Sequence, residues 1–284
     1  MKAIKCCKIN LMQWRIQPKY MLVLVFLVLR MMGMILPYKE FAVDTGFKIA
    51  PYLLVALVRS SNWYMLFMLA YILLICDAPF MNRQQQFVLQ RTGKVTWLRG
   101  QLLYLVVLSL SVTLLTWVLS WVFLLPHVDW TAQWGTGIQS ATRYPSQFSV
   151  YPPYLFPLYI LKNWTGIEAM AWVLLMQFLI GLFLGELVLV CNLWSKRGLG
   201  VAISAMLLLL LSYMVSGYAT IAGNIKRLIY LSPLSWMDLS LFGDTSVNQP
   251  PLEYALVMLL LLCVGLAALA LSRIHKSSLD MDKE

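Results

Sequence analysis

The chain has 284 residues, of which 61% are hydrophobic and 12% charged, with a mean hydropathy of +0.74. Soluble domains carry roughly twice that share of charge, so these figures exclude an ordinary water-soluble fold and indicate a polytopic membrane protein. The net charge of +10 does not point to nucleic acid. Membrane proteins gather Lys and Arg at the cytoplasmic face for topological reasons, and no basic-plus-aromatic RNA-binding module occurs. No stretch between the apolar runs is long enough to bury its own core, so residues 1–284 read as a single transmembrane domain.

Residues 1–19 predict a helix lying in the membrane interface. Ile4, Cys7, Leu11 and Trp14 share one face, while Lys5, Lys8 and Arg15 lie away from it, basic side to the head groups. A long polar leader and the lack of a small-residue cleavage site argue against a signal peptide. Gln17-Pro18 breaks the helix. Six spans follow, at about 20–37, 63–80, 102–125, 168–194, 201–218 and 253–271, each fit to cross a hydrocarbon core of ~30 Å. Between the first two, Pro51–Val58 is too short to cross and reads as an interfacial or re-entrant turn.

Residues 81–100 form the longest polar interval on the inner side and carry Arg83, Arg91, Lys94 and Arg99. A short helix is predicted over Asn82–Arg91, ended by Thr92-Gly93, because glycine takes the left-handed conformation of a helix C-terminus. Trp97 is placed where the chain re-enters lipid. Residues 126–167, rich in Trp, Tyr and Pro, suit a cap at head-group level. Ser195-Lys196-Arg197-Gly198 is a tight basic turn. In 219–252, Pro233 separates two possible half-helices, Ile225–Leu231 and Leu234–Phe242. Backbone that dips into hydrocarbon must satisfy its own hydrogen bonds, so this segment is predicted to be a re-entrant outer hairpin; helices resting on the outer leaflet are the plainer alternative.

With the N-terminus inside, the inner segments hold 14 Lys and Arg and the outer segments 7. That asymmetry predicts an all-α membrane protein of six transmembrane helices with both termini cytoplasmic.

No catalytic constellation stands out. His127 and His275 belong to no HExxH or His/Cys cluster, and no GxSxG occurs. Gly93-Lys94 is followed by Val95, with Val88 where a P-loop needs its first glycine, so the chain has no ATP-binding loop of its own. The five cysteines (Cys6, Cys7, Cys76, Cys191 and Cys263) lack CxxC spacing and read as reduced packing residues. Met31, Met32 and Met34 suggest Cu(I) ligation, but methionine is also common filler in apolar spans. Charges within spans are sharper clues, because lipid burial is costly. These are Arg30, Asp77 and Glu186. Arg30 and Glu186 are placed to pair between spans, either fixing the bundle or marking a polar point on a transport route or subunit interface.

In its order of features the whole chain resembles the permease subunits of type-2 ABC exporters, particularly the compact six-span versions of Gram-positive bacteria. The resemblance rests on the basic N-terminal helix, the stretch DAPFMNRQQQFVLQRTGKVTWLRGQLLYL, the turn NLWSKRGLG, and the broken outer segment with LSPLSWMDL. It implies a homodimer or heterodimer of permeases in a bacterial cell membrane, each resting on a separate P-loop ATPase that binds ATP and Mg. No cofactor or metal is then expected on this chain itself. The resemblance assigns Asn82, Arg83, Phe87, Arg91 and Lys94 to a coupling helix that contacts the ATPase. It assigns Lys5, Lys8, Trp14 and Arg15 to the interface helix. Pro233, Trp236 and Asp238 fall in re-entrant outer helices near the exit, and Arg30 lies near the dimer seam. The aromatic outer loops favour an amphiphilic substrate: a peptide, a lipid-linked molecule or a drug. A non-transporting sensor or assembly partner shares the topology but does not need the broken outer hairpin. A membrane-embedded enzyme needs polar residues clustered at one depth. A secondary transporter is expected to show an internal repeat, and the two halves do not match.

Overall fold

The computed structural model describes residues 2–80, 83–144, 156–194, 198–207, 230–242 and 250–276. Among these the chain is helical throughout, apart from one isolated bridge between Ile49 and Val128. Four helices are long and apolar enough to cross a membrane. They are α2 (Pro18–Thr45), α6 (Lys94–Val122), α9 (Gly166–Trp194) and α10 (Leu252–Lys276), the last through Ile274. The expected second span is a shorter helix, α4 (Ser61–Ile75), of 15 residues, about 22 Å at 1.5 Å per residue. Of the expected fifth span only a helical stretch at 199–207 lies within the described residues.

α9 is the central helix: 72% of its hydrophobic window is buried, against 39% or less in the other three. Residues facing α6 explain the close fit. An added Cβ at Gly181 would meet Ser109 Oγ at 2.6 Å, and one at Gly185 would meet Leu105 Cδ2 at 3.0 Å. Small residues let two helix backbones approach where no hydrophobic effect drives them together. Hydrogen bonds then cross the seam: Ser109 donates to the Phe178 carbonyl at 2.6 Å, and Gln177 Nε2 donates to Thr116 Oγ1 at 2.9 Å. α10 and α4 pack on the other sides of α9. A capping box starts α9: the Thr165 N–H donates to Glu168 and the Glu168 N–H to the Thr165 hydroxyl.

α2 corrects the expected end of the first span. The helix continues through Pro37 to Thr45 and stops at Gly46, with φ +71°. Proline removes one ladder bond, yet the buried stripe runs on past it, through Ile35, Tyr38, Phe41 and Ala42. Packing outweighs the break.

At the far end, the loops at 46–60, 126–144 and 156–165 fold on each other as a cap. Ile49 exchanges backbone bonds with His127 and Asp129. Trp134 is 2% exposed; its indole donates to the Trp164 carbonyl at 2.7 Å and its ring meets Tyr52 and Phe156 edge-on. The short helix α3 (Leu53–Leu57), within the piece expected as an interfacial or re-entrant turn, is wholly buried against α6 and α9. Helices α7 (Gly135–Arg143) and α8 (Leu158–Asn163) complete the cap.

α1 (Lys2–Met12) packs on the opposite end of α6. An added Cβ at Gly100 would sit 2.5 Å from Cys6 Cβ and 3.0 Å from the Ala3 carbonyl oxygen. Replacing Gly100 with Leu is therefore expected to lift α1 off α6 while the spans stay folded. Limited proteolysis should then cut the first 17 residues faster than in the wild type; equal protection would refute this packing.

Candidate functional site

Chain polarity brings the starts of α1, α2 and α6 and the end of α9 to one end of the bundle. This basic end is where most of the predicted site residues fall. α5 (Arg83–Thr92) matches the predicted helix within a residue at each terminus. Asn82 lies outside the described residues. Arg83 opens the helix, Phe87 is 67% exposed and Arg91 is exposed, whereas Leu89 is 5% exposed and anchors α5. Gly93, at φ +81°, turns the chain directly into α6, whose first residue is Lys94. The Gly93 N–H bonds the Leu89 carbonyl at 3.0 Å, and the Thr92 hydroxyl bonds the Val88 carbonyl. α6 therefore begins well before the predicted span. Its 29 residues extend about 44 Å, past a hydrocarbon core of ~30 Å. Trp97 is fully buried, which corrects its expected place at the lipid boundary.

In α1, Ile4 of the predicted stripe is 62% exposed, and Cys6, Cys7 and Asn10 are the residues buried in the protein. α6 decides the rotation, because it offers polar partners. Asn10 Nδ2 donates to Gln101 Oε1 at 3.0 Å, and Trp14 Nε1 donates to the Tyr104 hydroxyl at 2.8 Å. Tyr20 stacks on Trp14, and Phe80 meets Tyr104 edge-on at 4.7 Å. Lys5 and Lys8 face outward, as expected of an interface helix, and Arg15 falls in the 3-10 turn Gln13–Arg15 that leads to α2.

The three intramembrane charges do not form one site. Arg30 is exposed on α2. Glu186 is 5% exposed, near Tyr71 of α4 and Cys263 of α10, and its Oε2 has no hydrogen-bond partner. No ion pair joins the two. Asp77 instead pairs with Lys19 at the start of α2. No cluster of three or more His, Cys, Asp or Glu residues occurs among the described residues. Met31 is buried while Met32 is 43% exposed, so these neighbours do not converge.

Sequence reasoning missed Asn192. Its Nδ2 donates to the Ala78 carbonyl at 2.6 Å and its Oδ1 accepts the Gly200 N–H at 2.9 Å. One amide thus ties the end of α9 to the turn after α4 and to the start of the next helix, across 114 residues in one direction. The only signal was an Asn in an otherwise apolar run.

At the far end, most of the first predicted half-helix, 225–229, lies outside the described residues. The second is two 3-10 helices, Pro233–Met237 and Leu239–Leu241, instead of one α-helical piece. Pro233 starts the first, and Trp236, 1% exposed, packs on Tyr254 of α10. Asp238 breaks the run by capping the second: its Oδ1 accepts the Ser240 N–H at 2.8 Å. Burial raises the Asp238 carboxyl above the usual aspartate range, opposed by the Ser240 bond and the Arg59 charge.

No family model matches the chain, and no curated protein or solved structure matches it.

Two outcomes follow. Asn192→Ala leaves the Gly200 N–H and the Ala78 carbonyl without partners, which costs about 1–3 kcal/mol and should lower the melting temperature in detergent; an unchanged melting temperature would refute the tie. For Asp238 the folded form holds its proton more tightly than the unfolded form. Its contribution is therefore present below the ordinary aspartate value of ~3.9 and fades as pH rises towards the raised folded value. Asp238→Asn keeps the cap and should remove that pH dependence from thermal unfolding.

Proposed function

We propose that this chain is the permease subunit of an ATP-binding cassette exporter in a bacterial plasma membrane. The observation that carries the reading is α5, a basic ten-residue helix held against α6 at the basic end, with Phe87 and Arg91 turned outward. An isolated helix this short is marginal in water, so its fixed position on α6 needs the anchor at Leu89 and the Gly93 turn. A rigid, outward aromatic and an arginine are residue types that dominate protein–protein contacts. The occupant proposed is a separate P-loop ATPase, which carries ATP and Mg; this chain performs no covalent chemistry.

The positive-inside rule puts the basic end in the cytoplasm. Six spans are supported by the alternation of ends. α2 and α6 run away from the basic end, and α4, α9 and α10 run back. The stretch at 199–207 starts beside Asn192, whereas Tyr230 accepts a hydrogen bond from Tyr254 at the start of α10. The six-span proposal has a further crossing between these two points. Two permeases, identical or related, pair with Arg30 near the seam. The 3-10 segment with Pro233, Trp236 and Asp238 lies by the exit.

The mechanism is alternating access. Closure of the ATPases on ATP pushes α5, and α6, continuous with it through Gly93, carries the displacement into the bundle. An amphiphilic substrate moves because its affinity differs between inward and outward states.

Reversing both Arg83 and Arg91 to Glu is expected to abolish export and co-purification of an ATPase, with insertion and pairing unchanged. Wild-type protein in mild detergent should bring down a P-loop ATPase at about one to one. Undiminished export by the double variant would sink the coupling role of α5, and a stable protein with no ATPase would favour a sensor or assembly partner.

A further inference from the structure

A lateral cleft opens between α2, α4 and α6, with a volume of about 140 Å³. Its walls are Leu24 and Leu27 of α2, Leu74 of α4, and Leu108, Val112 and Leu115 of α6. Ser111 is the lone hydroxyl among the aliphatic wall residues, and its proton is already spent on the Val107 carbonyl at 2.7 Å. A polar ligand finds no partner there. A cavity near 150 Å³ with aliphatic walls stays dry and admits a molecule of about benzene's size. That is room for part of one hydrocarbon chain and far too little for a helix of a second copy.

The setting narrows the occupant. Met21 is 59% and Leu24 38% exposed on the α2 flank, so the cleft opens sideways, between two helices fit to cross a membrane. Trp14 and Tyr20 form its rim at the basic end, with both polar tips turned to the Tyr104 hydroxyl. Beside them Lys19 Nζ lies 4.9 Å from the Tyr20 ring centroid and pairs with Asp77. An ammonium has three donors, so that pair leaves two for a phosphate. Residues 1–20 carry five Lys and Arg and no acidic residue.

We infer that this cleft holds part of an acyl chain of an anionic phospholipid, with the phosphate at the rim beside Lys19. The inference rests on the chain being membrane-embedded and is independent of the exporter reading.

The test uses purified full-length protein, washed in detergent and then exposed to vesicles of phosphatidylglycerol or phosphatidylcholine. Bound lipid is counted by mass spectrometry after extraction. Wild type should retain phosphatidylglycerol in preference to phosphatidylcholine and melt at a higher temperature with it. Val112→Phe fills the cleft and should lose retention of phosphatidylglycerol, with the lipid-free melting temperature preserved. Lys19→Gln should keep lipid but lose the head-group preference. Retention by Val112→Phe equal to wild type, or equal retention of both lipids by wild type, overturns the inference. Should Val112→Phe fail to fold, chain-brominated phosphatidylglycerol gives an independent reading. It should quench wild-type tryptophan fluorescence more than that of Trp14→Phe, and equal quenching refutes the site.

Discussion

The structure depends on the seam between α6 and α9. In hydrocarbon the pairing of two helices gains little from expelling water, so contact distance and polar groups decide it. Gly181 and Gly185 set the distance, since each stands where a side chain would collide with Ser109 or Leu105. The Ser109–Phe178 and Gln177–Thr116 bonds then fix the register. Both helices have 29 residues, so one register positions two distant ends together. The Trp134 cap is built at one end of this pair and the α1–α5 surface at the other.

The basic end is organised by α6 in the same way. Gly100 removes the side chain that would hold α1 away, while Gln101 and Tyr104 supply partners for Asn10 and Trp14. The pairs Cys6–Gly100 and Asn10–Gln101 show four residues of α1 passing only one of α6, so α1 crosses α6 obliquely. The lysines at 5 and 8 then point outward because the opposite face is committed.

Much of this was legible in the sequence where the cause is local. Gln17-Pro18 as a helix break, Thr92-Gly93 as a helix stop and α5 between polar flanks follow from local backbone chemistry. The long apolar runs gave four of the membrane-fit helices. What escaped detection is non-local. Nothing near Pro37 reveals that Tyr38, Phe41 and Ala42 have a surface to pack on, so a proline that breaks helices elsewhere is carried through here. Apolar periodicity ignores polar partners: Asn10 of α1 is 1% exposed because Gln101 lies opposite. Lys19–Asp77 and Asn192–Ala78 join residues 58 and 114 positions apart, a distance over which one sequence carries no pairing signal.

The charge placement also shows why the intramembrane ionisable residues cannot be treated as one set. Asp77 lies at the basic end, where water and Lys19 relieve its charge, and it needs no special role. Arg30 is exposed on α2, where a long side chain can reach the interface or a neighbouring subunit. Glu186 has neither relief: it is 5% exposed, near Tyr71 of α4 and Cys263 of α10, with one oxygen unpartnered. A carboxyl left so within a span stores a cost that any rearrangement exposing it would release.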